Sequence, residues 1–275
     1  MTNQELARKA NELRIDILRM IYRAKTGHIG GDFSVIDMIT ALYYKHLNIS
    51  PAQWAEKDPD RDRFILSKGH AVEALYAALG DLGFFDKEEM IETFSQFGSP
   101  YIGHANNHVP GIDLNSGSLG HGLALGVGMA LAGKRDHRDY RVYVVMGDGE
   151  VQEGSVWEAA MAGSHYKLDN LVAIVDRNRL QISGTTEEVM SLDSQEERWA
   201  SFGWHVISID GNDMNAVDKA LTAARETKGR PVAIISNTVK GKGVPFIENQ
   251  AAWHHKVPDE AQYEAAMAEL RAHLD

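Results

Sequence analysis

Cysteine is absent from all 275 residues. That excludes a disulfide framework, a thiolate nucleophile and a thiolate metal site, and it fits a reducing compartment, so cytoplasmic residence is the expectation. Long hydrophobic runs are missing as well. No stretch approaches the roughly 20 apolar residues that span a bilayer, and charged residues recur from Glu5 onward, so no secretory signal is expected. Positive charge is in deficit: 28 Lys and Arg stand against 39 Asp and Glu, a net charge of −11. This balance argues against nucleic acid or an anionic membrane as partner. Internal repeats and linker-like segments are also lacking. With 44% hydrophobic residues, the chain can fill one large α/β domain with a sizeable core. A single domain over residues 1–275 is expected.

The most informative stretch runs from Tyr140 to Asn178. Val142–Met146 is an apolar run with the length of a buried strand. Gly147-Asp148-Gly149-Glu150 follows, then a helix-like segment from about Gln152 to Tyr166. A second apolar run, Leu171–Val175, ends in Asp176-Arg177-Asn178. The order is strand, glycine turn, helix, strand. Asp148 and Asn178 therefore fall just past the carboxyl ends of two strands, where open parallel sheets bind ligands. Taken alone, the Gly-Asp-Gly turn could be only a tight turn, and Asp148, Glu150 and Glu153 only complements to a helix dipole. A dinucleotide fingerprint fits poorly: it needs glycine at position 152, which is Gln152, and Gly154 comes too late. Asp176 could still imitate a ribose-binding acid.

A divalent cation accommodates this pattern better. Mg²⁺ takes about six oxygens, commonly one or two from protein and the rest from phosphates and water. Asp148, the Asn178 side-chain carbonyl and a backbone carbonyl just beyond, at Leu180, supply protein oxygens. Gly147-Asp148-Gly149, 28 intervening residues and then Asn178 resemble the thiamine diphosphate signature. The continuation Gln152-Glu153-Gly154 resembles the transketolase branch.

Other segments extend this resemblance over about residues 5 to 260. Leu6, Ala10, Leu13, Ile17 and Ile21 mark one face of a first helix, with Thr2 and Glu5 at capping-box spacing. Gly27-His28-Ile29-Gly30-Gly31 reads as a glycine loop, and Ser34 as the cap of the helix after it. In transketolases a histidine in this loop contacts the sugar. Residues 48–62 read as a connection. Arg63–Leu66 is a strand ending in Ser67-Lys68-Gly69-His70. The family's matching histidine lies near the coenzyme diphosphate, beside a helix start that suits an anion. Phe84 to Phe97 reads as a helix. Gly98 to Gly122 is loop-like and long enough to be functional. It carries His104, which matches a substrate histidine. Asn115-Ser116-Gly117-Ser118-Leu119-Gly120-His121-Gly122 resembles the coenzyme loop, with Ser116 in place of threonine and His121 in place of glutamine. His108 has no family counterpart and is expected at the surface.

Residues 123–134 form a helix of small residues. Glycine costs up to roughly 1 kcal/mol in a helix, so close packing in the core or at a subunit interface is expected. Arg179 to Leu192 reads as loop, and Ser194 as the start of a short helix with Trp199. Trp204–Ile209 is a strand in which His205 is structural, and Asp213 or Asn215 caps the next helix. Pro231–Ser236 is the last strand. Its exit, Thr238 to Gly243, could be a phosphate cradle or a flexible turn. It resembles the segment that leads in the family to a histidine, here His254, with His255 as the competing choice. A final helix covers 258–274.

The fold implied is α/β: a parallel sheet of five or six strands flanked by helices, the diphosphate-binding domain of thiamine enzymes. The site residues implied are His28, His104 and His254 toward the sugar. His70, Gly117, Ser118, Leu119, Gly149, Glu153, Asn178 and His254 face the coenzyme, and Asp148, Asn178 and Leu180 the Mg²⁺. The glutamate that activates the coenzyme's aminopyrimidine belongs, in the family, to a second domain with no room here. Glu153 sits too close to the metal site to serve. The expectation is the amino-terminal half of a split transketolase, acting on sugar phosphates. A partner chain would carry the pyrimidine-binding domain, as an α2β2 assembly. The alternatives are another thiamine enzyme, such as a deoxyxylulose-phosphate synthase or keto-acid dehydrogenase subunit, or a non-catalytic coenzyme-binding subunit.

Overall fold

The computed structural model describes residues 1–274. The first helix, α1 (Asn3–Ala24), begins with the expected capping box: Thr2 accepts from the Glu5 backbone, and the Glu5 carboxylate accepts from the Thr2 backbone. Its five apolar positions are fully buried. The next helix, α2 (Ile29–Ala41), corrects two readings. Gly30 and Gly31 are its first turn rather than a loop. Ser34 is not a cap but lies buried inside the helix, donating to Asp176 at 2.6 Å. The helix starts at Ile29 because the His28 carbonyl already accepts from the N–H groups of Gly31 and Asp32.

The 48–62 connection contains a short helix, α3 (Pro51–Ala55), with Ser50 as its cap and proline at the first position. Strand β1 (Arg63–Leu66) leads through a 3₁₀ turn, Gly69–Ala71, into α4 (Val72–Asp81). Helix α5 (Lys87–Thr93), capped by Asp86, is shorter than the expected 84–97. Among the described residues, the next regular element is α6 (Gly122–Arg135). Then come β2 (Val142–Gly147), α7 (Gly154–His165) and β3 (Leu171–Arg177). The 179–192 loop holds one short helix, α8 (Thr186–Met190), which has its own capping box. Ser194 caps α9 (Gln195–Ser201), as expected. Strand β4 (His205–Asp210) precedes α10 (Met214–Glu226), and of the two candidate caps it is Asp213 that accepts. Strand β5 (Val232–Asn237) and α11 (Glu260–Ala272) follow.

All pairings in the five-stranded sheet are parallel, in the order β1-β2-β3-β5-β4. Successive residues of a strand point to opposite faces, and the core divides accordingly. Phe64, Leu66, Tyr143, Val145, Val172, Ile174, Val232 and Ile234 pack under α1, α2, α4 and α10. Ile65, Val144, Met146, Ala173, Val175, Ala233 and Ile235 pack under α6, α7 and the indoles of Trp199 and Trp204. Both faces of β2, β3 and β5 are covered, so these strands read as continuous apolar runs, whereas the edge strand β4 is partly exposed. In α6, Gly126 lies against the sheet: a Cβ there would sit 2.6 Å from Val144 Cγ2. Close backbone approach thus accounts for that glycine. A Cβ at Gly128 would meet nothing within 4 Å among the described residues, and the fold gives no packing reason for it.

Candidate functional site

Parallel strands bring the residues after β1, β2, β3 and β5 to a single sheet edge. A cleft of ≈ 490 Å³ opens there. A larger groove, ≈ 770 Å³, runs beside α1 and residues 242–248 and holds none of the expected site residues. The smaller cleft is the one lined by residues expected at the site.

His28, His70, His104 and His254 line it from four separate segments. Gly117, Leu119, Gly149 and Glu153 line it as well, as do Asp148, Asn178 and Leu180. Ser118 occupies an exposed turn outside the lining. His108 is exposed, as expected. His121 is also exposed, its ring facing the Ser118 and Leu119 carbonyls.

Asp148 is 4% exposed. Among the described residues its oxygens accept only from backbone N–H groups, Gly149 at 2.9 Å and Arg179 at 2.6 Å. Burial, then repulsion from Asp176, pushes its carboxyl up to about 6. A buried carboxylate with no cationic hydrogen-bond partner suits a bound cation. The Asn178 carbonyl accepts from Leu180 N at 3.2 Å, and Arg179 N, between them, donates to Asp148, which brings this turn against Asp148. Among the described residues no cluster of three or more His, Cys, Asp or Glu has metal-holding geometry.

Two buried lysines border this end. Lys68 donates to Asp176 at 2.5 Å and to Gly31 O at 3.1 Å. Lys240 donates to Leu180 O at 3.0 Å and to His254 Nδ1 at 2.8 Å. Burial, then the charge of Lys68, lowers Lys240 to about 8. Asp176 is engaged by Ser34, Lys68, Asn178 and Thr238, which leaves no free oxygen to imitate a ribose-binding acid. Glu150 accepts from Ser67 and from the backbone of Gly120 and Gly147, fastening the coenzyme-loop segment to β1 and β2.

The histidines form a close group. The His28 ring lies 5.3 Å from His70, 6.1 Å from His104, 5.7 Å from His254 and 4.6 Å from His255. Burial, then the charges of Lys68 and Lys240, lowers His28 to about 4. Burial, then Lys240, lowers His254 to about 3. Burial also moves His70, His104 and His255 down. At neutral pH these rings are uncharged, and each offers one lone pair. His254 lines the cleft and His255 does not.

Lys68, Lys240 and Gln181 also line the cleft, although the sequence does not single them out as site residues. The only signal for the lysines is their place beside Gly69-His70 and in the basic glycine loop.

The chain matches the family described as transketolase, thiamine diphosphate binding domain, over residues 5–272. It is 51% identical over 271 residues to an apulose-4-phosphate transketolase subunit from Phocaeicola vulgatus, covering 98% of this chain and 95% of that one. It is 41% identical over 269 residues to the 6-deoxy-6-sulfo-D-fructose transketolase subunit SqwG of a Clostridium species, covering 97% and 96%. The crystal structure of Campylobacter jejuni transketolase superposes with a TM-score of 0.91 at 31% identity. That match covers 98% of this chain but 43% of the transketolase, so the chain spans less than half of that enzyme's length. A sheet edge with this geometry and likeness over nearly the full sequence place the chain in the transketolase thiamine diphosphate-binding domain family.

Proposed function

We propose that this chain is the diphosphate-binding subunit of a split transketolase. With a separate chain carrying the pyrimidine-binding domain and the activating glutamate, it moves a two-carbon ketol unit from a ketose phosphate to an aldose. The observation that carries this reading is the convergence of four cleft histidines with the Asp148–Asn178 pair at one sheet edge. The relatives that match end to end are named as subunits, which supports a single diphosphate-binding domain here and a partner elsewhere; the assembly proposed is α2β2. Their names specify a phosphorylated ketose and a sulfonated one, so the donor class inferred here is an anionic ketose.

Mg²⁺ would be held by Asp148, the Asn178 carbonyl and Leu180 O. The coenzyme would lie against His70, Gly117, Ser118, Leu119, Gly149, Glu153, Asn178 and His254, with Lys68 and Lys240 as counter-charge. When bound, the coenzyme supplies the electron sink for breaking and forming the carbon–carbon bond. His28, His104 and His254 face the sugar; being neutral, His28 and His104 each offer a lone pair to its hydroxyls, whereas His254 offers an N–H, and all three can take or return protons. Lys240 donates to His254 Nδ1, so the ring proton of His254 sits on Nε2.

The test is to purify the chain alone and together with a pyrimidine-domain chain encoded beside it, then assay sugar phosphates and pyruvate as donors. Activity with sugar phosphates only in the mixture is expected. Full activity from the single chain would refute the split site. A preference for pyruvate would indicate a different thiamine enzyme, and coenzyme binding without turnover in any mixture a non-catalytic subunit.

A further inference from the structure

Behind His28, away from the cleft, two acids lie against each other. Asp32 belongs to the first turn of α2 and Glu73 to the first turn of α4, and both are 0% exposed. Glu73 Oε1 accepts from His28 N at 3.1 Å. Asp32 Oδ1 accepts from Ala74 N at 3.2 Å. Among the described residues the second oxygens, Glu73 Oε2 and Asp32 Oδ2, find no donor, and the buried Nδ1 of His28 finds no partner. That Nδ1 is 3.9 Å from Glu73 Oε1. The chain leaves space for this arrangement at Gly27 (φ +148°), where a Cβ would sit 2.7 Å from Glu73 Oε1 and 2.5 Å from Ile21 Cγ1.

The charges around the pair do not neutralise it. Lys68 is the cation nearby, but its ammonium is bound to Asp176 and Gly31 O. His28 and His70 are neutral, and Ala74 N contributes one backbone dipole. Two carboxylates in such a site cannot both stay ionised. Burial and then mutual repulsion drive Asp32 up, and burial drives Glu73 up. One proton between Asp32 Oδ2 and Glu73 Oε2 satisfies both orphan oxygens and leaves the negative charge toward Oε1, on the His28 side.

We propose that Asp32 and Glu73 are positioning residues that share one proton and fix His28 in its Nδ1–H tautomer. A lone pair on Nδ1 would be repelled by Glu73 Oε1, whereas an N–H is attracted. Nε2 is then the lone-pair nitrogen, the one that opens onto the cleft, and it accepts from a substrate hydroxyl. This tautomer is opposite to that of His254. The consequence for turnover rests on His28 facing the sugar as proposed above; the tautomer itself does not.

The test therefore begins with the purified full chain and no substrate. Nitrogen-15 NMR of the histidine side chains, assigned with His28→Gln, reads the tautomer directly. The wild type is expected to show Nδ1–H at His28. Asp32→Asn replaces the shared proton by an amide donor and should retain it, while Glu73→Leu should lose it. Infrared difference spectra should show a protonated carboxyl at neutral pH that disappears in both Asp32→Asn and Glu73→Gln. With the partner chain present, Glu73→Leu should lower kcat about 10- to 100-fold with little change in coenzyme KM, and Asp32→Asn should retain most of the wild-type rate. If Glu73→Leu does not fold, Glu73→Gln and Asp32→Asn still decide the matter through the infrared band. An Nε2–H tautomer in the wild type, or no protonated carboxyl, overturns the proposal. Absence of turnover with every partner, with the spectra as expected, would instead count against the transketolase reading.

Discussion

Lys68 Nζ and Asp176 Oδ2 stand 2.5 Å apart, with both side chains almost wholly buried. The pair joins the turn after β1 to the end of β3. Because Asp176 also binds Ser34 of α2 and Thr238 after β5, it fastens four segments beneath the cleft. Removing one partner of a buried pair strands the other charge and costs about 3–5 kcal/mol. Lys68→Met and Asp176→Asn should each lower stability by that order in urea titrations, and the double variant by less than the sum. Burial alone would push Asp176 up; Lys68, with the Ser34 and Thr238 hydroxyls, outweighs it and holds the carboxyl below the usual range. The native state thus binds this proton less tightly than the unfolded chain. The stability contributed is present above the unfolded value and is lost as the pH falls through the folded one.

Asp148 behaves in the opposite sense. With its carboxyl pushed up to about 6, the folded chain takes up a proton as the pH drops through that value, and a metal ligand must be ionised to bind. Mg²⁺-dependent affinity for thiamine diphosphate, measured by calorimetry, should weaken roughly tenfold for each pH unit below about 6. Asp148→Ala should remove that affinity at every pH while leaving the circular dichroism of the fold intact. Mg²⁺-dependent binding that survives in this variant would count against the assigned ligand set.

The two candidate histidines near the end of the chain can be separated by activity. His254 lines the cleft and holds Lys240, whereas His255 is exposed and outside the lining, its ring beside that of His28. In the assembled enzyme His254→Ala should reduce kcat about 10²-fold or more. His255→Ala should reduce it less than tenfold. Equal losses would mean that the assignment is wrong.

The histidine group also predicts an acid limit. His28 is lowered to about 4 and His254 to about 3 by burial and neighbouring lysines, against roughly 6.5 in an unfolded chain. Folding therefore excludes protons, so the stability they contribute is full above about pH 6.5 and declines as the pH falls toward the folded values. The thermal midpoint of the coenzyme-free chain should drop over that range. His28→Gln and His254→Gln should each flatten the decline; an unchanged profile would show that the rings are not buried in neutral form.

The strands are legible in the sequence because a parallel sheet covered on both faces needs near-continuous apolar runs. The cleft residues are legible where glycine and histidine interrupt those runs at strand ends. The start of α2 is not, because Gly30-Gly31 lowers helix propensity locally while packing of Phe33, Ile36 and Ile39 overrides it. Ser34 reads as a cap because nothing local places Asp176 beside it. Lys68 and Lys240 do not stand out as site residues because lysine is rarely buried, and their partners come from distant segments. Asp32 and Glu73 look in sequence like ordinary acids of a helix first turn, and only the packing of α2 on α4 brings them together.

One main-chain hydrogen bond carries a last implication. Gly241 N donates to Gly30 O at 2.9 Å, so the wall holding Lys240 is stitched to the wall holding His28 across almost the entire chain. Residues from both ends of the chain are therefore needed to complete the pocket. Coenzyme affinity should therefore report that β1, β2, β3 and β5 stand in place together, because the residues after those strands build the cleft.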